Sequence, residues 1–471
     1  MRGSARHLLG FVVLLAAMLH LAVSGAEAQQ RPGFVAERIK PVFPSITLPL
    51  RETSGQAAVA ALGAKLPAIA QWYGKTPLEL QTELLRDTRL RVDQRGRLFV
   101  VDELQRPLAA TTPTLQQGAL DGALAPLNQT FTLHSKPGSS KTIYLNFVGA
   151  TITNTAWSSG TLNAVPFDMD GNTGNFTTLE LQTIQYMWQR VAEDYAPFDV
   201  DVTTEAPLDP GILSRSGSTD QVYGTTVVIT NRTGVYNCSC GGVAYVGVFN
   251  DQSDFYKPAL VFYDALGPSD EKYVAEAISH EAGHNMGLSH DGTTTVAYYQ
   301  GQGTDAVTGW APIMGAGYYK PLVQFSKGEY ANANNKEDDF AVAQSFGLPL
   351  RTDDYGSTIP LAAAFPATGA GGLTSGTLEG VVETAADRDV FSISAGTGTL
   401  SVSIVPAARS PNADLVVTLF NSLGTALATA NPLNNLSATL SYEITQAGTY
   451  FIEVKGTGQG AANTTGYSAY G

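Results

Sequence analysis

Cysteine is nearly absent: the chain of 471 residues has two, Cys238 and Cys240. That excludes a scaffold stapled by many disulfides and any structural metal site built from four thiolates. Histidine is scarce too, six in all, with His7 and His20 inside the first 28 residues. Positive charge is in deficit, 28 Lys and Arg against 42 Asp and Glu, for a net −14. No concentrated basic surface of the kind nucleic acid requires is therefore expected. Beyond the N-terminus no apolar run is long enough to span a bilayer. What remains is 44% hydrophobic and 15% charged, with 48 glycines and 20 tyrosines, a globular, β-rich composition. This length calls for two or three domains rather than one core.

Arg2 and Arg6 precede an apolar run over 8–23, and Ala26, Glu27 and Ala28 follow it as a small-x-small cleavage signal. Residues 1–28 are read as a signal peptide and the protein as secreted. The run is too short for a stable membrane anchor and is interrupted by His20. Residues 29–134 form a propeptide or N-terminal region. Between positions 29 and 110 twelve Arg or Lys face eight Asp or Glu, so the body beyond carries about −19. A basic leader on an acidic body is the pattern of a prosegment docked by charge, or of an ordinary N-terminal domain. Helices are predicted over 56–73 and 77–86 and a short strand over 98–101. The leader has no cysteine, so any latency requires a carboxylate, His134 or steric cover.

Residues 135–348 read as one α/β domain. Strands are predicted at 141–148, 199–204, 225–230, 243–249 and 259–264. A helix over 177–195 buries Leu179, Ile184, Met187, Trp188 and Val191. The next predicted helix follows Pro268, capped by Ser269 or Asp270 with Glu271 complementing its dipole, and runs to about Met286. It carries HEAGHNMGLSHD at 280–291. His280 and His284, four apart, project from one helical face towards a single metal. Gly287 ends the helix by adopting positive φ, and the turn returns His290 to the same ion. Three imidazoles leave one tetrahedral position for water, the arrangement of a catalytic zinc site. Glu281, beside the first ligand, is placed to take that water's proton, so the chemistry is amide hydrolysis.

The eleven residues HEAGHNMGLSH resemble the extended zinc signature of the metzincins, and Met314 in APIMGAGYY resembles their Met-turn. Asp291, directly after the third histidine, is similar to the adamalysin or reprolysin branch. The resemblance implies a metzincin catalytic domain with a mixed five-stranded sheet plus helices and an irregular lower subdomain after Gly287. It implies a Met314 floor beneath the zinc ligands that binds no metal. The stretch VAYVGVFN resembles the edge strand on which such enzymes hold extended substrate, making Val243, Ala244, Tyr245, Val246 and Gly247 candidate substrate contacts. The disulfide framework of animal reprolysins is missing. Tyr318 and Tyr319 lie too far past Met314 for a switching tyrosine and are read as pocket or packing residues.

Cys238 and Cys240 are candidates for a small disulfide ring, a reduced pair or an interchain bond. DMDGNTGN at 168–175 offers Asp168, Asp170 and Asn172 in the order of a calcium loop, yet the sixth position is Thr173 and the twelfth Leu179, so a solvated turn is expected. His134 is read as a surface residue in a linker. A helix over 335–346 closes the catalytic region, followed by a linker at 349–373. Residues 374–471 switch to alternation in LEGVVE, DVFSISAG, TLSVSIVP, DLVVTLFN, ATLSYEI and TYFIEVKG, an all-β sandwich. DRDVFSISAG and AGTYFIEVKG resemble the bacterial pre-peptidase C-terminal domain, where Asp387 and Asp389 are candidate calcium ligands. The combined expectation is a monomeric, secreted zinc metalloendopeptidase acting on proteins or peptides. Two alternatives stand beside it: a binding or adhesion protein with a vestigial site, and a zinc amidase for cell-wall peptide.

Overall fold

The structure, a computed structural model, describes residues 34–103, 122–303, 307–370 and 373–458. The expected signal peptide lies outside them. No described helix is long and apolar enough to cross a membrane.

The leader is built from β1 (Glu52–Ser54), α1 (Gly55–Leu62), α2 (Leu66–Trp72), α3 (Pro77–Arg86), β2 (Leu90–Asp93) and β3 (Leu98–Asp102). The single helix predicted over 56–73 is two, because Gly63 takes φ +46, which a β-carbon disfavours. α3 starts where its sequence says: Thr76 accepts from Glu79 N–H, Glu79 reciprocates, and Pro77 occupies the first turn. Such a capping box contributes about 1 kcal/mol. Leu80 and Leu84 point from it into the core.

The central region supplies β4 (Lys141–Asn146), a hairpin of β5 (Ala150–Ile152) and β6 (Leu162–Ala164), α4 (Thr178–Asp194), β7 (Asp201–Thr203), β8 (Tyr223–Thr230), β9 (Gly242–Tyr245) and β10 (Ala259–Phe262). α5 (Tyr263–Leu266) and α6 (Glu271–Asn285) follow. Five of these strands form a mixed sheet in the order β9-β10-β8-β4-β7, parallel except for β9. The leader extends it to eight, β1-β2-β3 continuing past β9. β8 and β10 are buried almost throughout, as strands covered on both faces must be. α4 and α6 pack on one face, sharing a core with Ile143, Val227 and Val261; Val228, Leu260 and Phe262 face a second cluster around Trp157. Leu179, expected in the buried face of α4, is 47% exposed, because it stands in the first turn beyond the reach of the sheet.

The leader is docked by ion pairs as well as by strand pairing. Lys40 and Arg97 both meet Asp251, at 2.9 and 3.1 Å, and Lys75 meets Glu337 at 3.5 Å.

After α6 the chain is irregular, with β11 (Trp310–Pro312) parallel to β12 (Leu322–Gln324) and α7 (Asp339–Ser345) capped by Asp338. The expected linker is more structured than its composition suggests. Leu348 is fully buried, Leu350 bridges Phe198, and β13 (Ala363–Ala364) already pairs with the sandwich. β14 (Thr368–Ala370) and β15 (Leu373–Ser375) form a hairpin. β16 (Asp389–Ala395), β17 (Gly398–Ile404), β18 (Leu415–Phe420), β19 (Ala426–Ala430), β20 (Ala438–Ile444) and β21 (Gly448–Gly456) complete two sheets, β13-β16-β21-β18-β19 and β17-β20. Val417, Leu419 and Ile452 of one sheet meet Leu440 and Ile444 of the other. Each such side chain contributes roughly 1.5–3 kcal/mol by leaving water. LEGVVE is not a strand; Val382 and Glu383 in it turn inward instead.

Candidate metal centre

α6 lies against β8, β9 and β10 and its residues are buried almost without interruption. Asp270 precedes it but makes no capping hydrogen bond, and Glu271 is held by Arg190 at 3.0 Å and Arg409 at 3.1 Å. At the other end Leu288 N–H donates to Gly283 O and Gly287 N–H to His284 O, a Schellman closure around Gly287 at φ +91. A β-carbon at Gly287 would stand 2.3 Å from the Phe346 ring, so only glycine allows this turn. The turn carries His290 back over His280 and His284, with ring centroids 4.8 to 5.3 Å apart.

The protonation pattern shows what these rings can hold. His280 Nδ1 donates to Ile313 O and His284 Nδ1 to Leu288 O, both at 2.8 Å, which leaves each Nε2 as a bare lone pair. The Nε2 atoms of His284 and His290 are only 3.1 Å apart, and His280 Nε2, buried, has no hydrogen-bond partner. Imidazole nitrogens converging in a buried site suit a zinc-class ion, and Asp102 completes a four-residue group of ligand atoms within 4.8 Å of one another.

Glu281 is fully buried and neither carboxylate oxygen finds a donor. The strand β9 passes so close that a β-carbon on Gly242 would fall 2.1 Å from Glu281 Oε1. Met314 is buried beneath the helix, its sulfur 2.7 Å from where a β-carbon on Gly283 would stand, and its carbonyl accepts from Asp291 N–H at 2.8 Å. Asp291 itself accepts from Ser326 and Tyr330, at 2.7 and 3.2 Å; burial pushes its carboxyl up to about 7.

The expected edge strand needs correction. β9 covers Gly242–Tyr245 only, so Val243, Ala244 and Tyr245 lie in it, while Val246 and Gly247 enter a turn where Gly247 takes φ +68 against Phe346. Nor is β9 free. β3 of the leader runs antiparallel along it, Val101 opposite Val243 and Phe99 opposite Tyr245.

That pairing delivers Asp102, the last residue of β3, into the histidine cluster. Its carboxylate lies 2.8 Å from His290 Nε2, 3.2 Å from His284 Nε2 and 3.3 Å from His280 Nε2. Tyr298 donates to its other face at 2.7 Å, and a second leader carboxylate, Asp87, bonds His290 Nδ1 at 2.5 Å. Burial opposes ionisation of Asp102, but the facing His290 and His280 hold its carboxyl well below the usual range. Burial and the Asp102 carboxylate push Glu281 well above it. Asp102, Asp87 and Tyr298 were not foreseen in the sequence. The only trace was an acidic residue closing a β-rich run, and nothing along the chain names its partner.

A cavity of about 570 Å³ adjoins the site, walled by Lys75, Glu83 and Asp87 of the leader and by His284, His290 and Tyr298. Tyr318 is buried with its ring 4.8 Å from Tyr273, and Tyr319 packs on the same ring, so both are packing residues beside the cavity. Cys238 and Cys240 are joined in a disulfide, with Cα atoms 5.3 Å apart. His134 is no free surface residue: it pairs with Asp201 at 2.6 Å and Glu205 at 2.7 Å, and bridges Thr203. Asp168 is a turn carboxylate, accepting from Asp170, Gly171 and Asn172 N–H.

Residues 172–291, which include the helix and all three histidines, match the model of the reprolysin-like metallopeptidase family M12B. That stretch of the chain is similar to a reprolysin-like metallopeptidase. Residues 265–347 also match the Peptidase M66 model, so two metallopeptidase families converge on α6 and the turn that follows. The bacterial pre-peptidase C-terminal domain matches residues 387–456, the greater part of the sandwich; that domain is typical of secreted bacterial proteases. Neither curated proteins nor solved structures yielded a match. These families support a metalloprotease with a catalytic metal, typically zinc, and peptide or protein substrates.

Proposed function

We propose that the protein is a secreted zinc-dependent endopeptidase made in a latent form, with His280, His284 and His290 as metal ligands and Glu281 as general base. The observation that carries the reading is the convergence of the Nε2 atoms of three buried histidines, two of them oriented by Nδ1–H bonds to carbonyls, beside the buried carboxyl of Glu281, which has no donor. Zinc, when bound there, lowers the pKa of water and polarises the scissile carbonyl. Glu281 takes the proton from water and returns it to the leaving amine, while the carbonyls of Ile313 and Leu288 hold the His280 and His284 imidazoles in orientation. Substrate occupies the place of β3, bonded through its backbone to β9.

The leader is then the natural inhibitor of the site it covers. β3 fills the substrate strand's place, Asp102 sits among the three histidines where water would bind, and its carboxylate, with burial, pushes the Glu281 carboxyl up. Processed enzyme with Glu281→Ala should retain one zinc and lose casein hydrolysis by roughly 10²–10⁴-fold. Near-normal turnover in that variant sinks the mechanism. Purified cell wall, digested alongside, separates a protease from an amidase.

A further inference from the structure

Successive residues of β3 face opposite ways, and the two faces meet different parts of the molecule. Leu98 and Val100 join the core that holds Ile69 of α2 and Leu80 and Leu84 of α3, all from the leader itself. Phe99 and Val101 turn the other way and are each 3% exposed. Among the described residues they are the only leader members of a cluster otherwise built from the catalytic region, with Trp157, Cys240, Val243 and Tyr245 around them.

That seat is shaped for a ring. Phe99 stands opposite Tyr245 in the register of β3 on β9, with ring centroids 5.4 Å apart, and meets the Trp157 indole edge-on at 6.0 Å and 85°. Trp157 lies in the turn between β5 and β6, and its Nε1–H donates to Pro258 O at 2.8 Å, so the catalytic region holds the indole in place. Its ring lies 4.7 Å from Tyr245 and 5.8 Å from Tyr236. The hydroxyls of those two tyrosines donate to leader carboxylates, Asp93 at 3.3 Å and Glu52 at 3.1 Å. Val101 stands opposite Val243. Removal of the leader strips the seat of Phe99 and Val101 while its aromatic walls stay.

We infer that the enzyme selects substrates with an aromatic side chain at the place of Phe99 and a compact aliphatic one at the place of Val101, both before the cut and two residues apart. Trp157 and Tyr245 are the residues that select the ring. The inference rests on the reading above, that substrate replaces β3 along β9. β3 runs antiparallel to β9 and brings its C-terminal end, Asp102, to the histidines. A substrate bonded to the same backbone groups takes the same direction, because the perpendicular bonds of an antiparallel ladder are more stable than the slanted bonds of a parallel one. Its residues at the places of Phe99 and Val101 therefore precede the bond that reaches the histidines, and the strand period of two turns both towards Trp157. Tilted and edge-on ring contacts add to the burial of apolar area, so a ring is favoured there over alanine and over any charged side chain. Substrate residues at the places of Leu98 and Val100 find no leader helices to pack on, so that face selects less.

The full chain, zinc-loaded and cut after residue 103, is offered randomised peptides, and the products are sequenced by mass spectrometry. Phe, Tyr or Trp should be enriched at one position before the cut, with Val or Ile two residues nearer to it. In one cleaved peptide, replacing that aromatic residue by Ala should lower kcat/KM at least about tenfold. Trp157→Ala in the enzyme should shrink this aromatic-to-alanine ratio to below about threefold. No enrichment before the cut, enrichment of charged residues at the aromatic position, or an unchanged ratio in Trp157→Ala overturns the inference. Casein hydrolysis by the same sample separates the two levels. Casein and peptides cut without this preference overturn the selectivity alone, whereas no hydrolysis of either overturns the protease reading and the selectivity with it. Should Trp157→Ala misfold, the cut chain carrying Glu281→Ala is titrated with the aromatic peptide and its alanine counterpart while tryptophan emission is followed. A saturable change with Kd at least about tenfold lower for the aromatic peptide supports the seat; equal Kd values or no change overturn it.

Discussion

Gly242 of β9 and Asp102 of β3 are cross-strand partners, and both act through what they put next to Glu281. A methyl group on Gly242 would stand 2.1 Å from Glu281 Oε1 and 2.5 Å from Cδ, so strand or carboxylate must move. Gly242→Ala in the processed enzyme should lower kcat at least about tenfold and cost roughly 1–3 kcal/mol of stability, read by peptide hydrolysis and denaturant melts. Asp102 works in the opposite sense. Removing its carboxylate takes away oxygens that lie 2.8–3.3 Å from the three imidazoles and a charge that pushes the Glu281 carboxyl up. Asp102→Ala with the leader intact should therefore lose zinc to a chelator faster than the parent and show measurable peptide hydrolysis where the parent shows none. Equal rates of zinc loss would remove Asp102 from the coordination shell.

Individual elements differ in how far their own residues specify them. α3 and α4 begin at capping residues visible in the chain, Thr76 and Thr177, and α6 stops at Gly287 for a reason that glycine alone supplies. Local chemistry decides such ends, so they were legible. The break at Gly63, where the chain takes positive φ, and the failure of LEGVVE to form a strand, with Val382 and Glu383 turned inward, were not legible from periodicity. β3 was readable as a strand but its partner was not, since strand pairing depends on surfaces far apart in sequence. That pairing carries the element-scale prediction. Limited proteolysis after residue 103, with release of the leader, should bare β9 and raise peptide hydrolysis at least about a hundredfold over the intact chain, followed by N-terminal sequencing. Cleavage and release without any rise would show that the leader does not inhibit.

At the scale of the molecule, the sandwich docks on the catalytic helices through polar groups that are largely buried. Arg409 reaches Glu271 and lies 3.5 Å over the Tyr186 ring, and Asn412 donates to Asp194 at 3.0 Å. Burial pushes Glu193 up to about 7; burial, then Glu276, pushes Asp194 up to about 8. Both values are raised on folding, so the neutral forms favour the native state. Their contribution is complete below about pH 4 and is lost as pH rises through 7 to 8. Thermal melts should show Tm falling by several degrees between about pH 6 and 9, and Glu193→Gln with Asp194→Asn should flatten that fall. An unchanged slope would place the pH dependence elsewhere.

Spacing in the chain was enough to determine that three histidines converge: a helix repeats every 3.6 residues, so His280 and His284 share a face, and a glycine at 287 permits the turn that returns His290. Alternation was enough to determine a β-rich C-terminal region. The carboxylate among the histidines, the partner of β9 and the gathering of Phe99 with Trp157 and Tyr245 were decided only by the tertiary structure. Each of these brings together residues tens to nearly two hundred positions apart, and no local periodicity encodes which distant surfaces will exclude water between them.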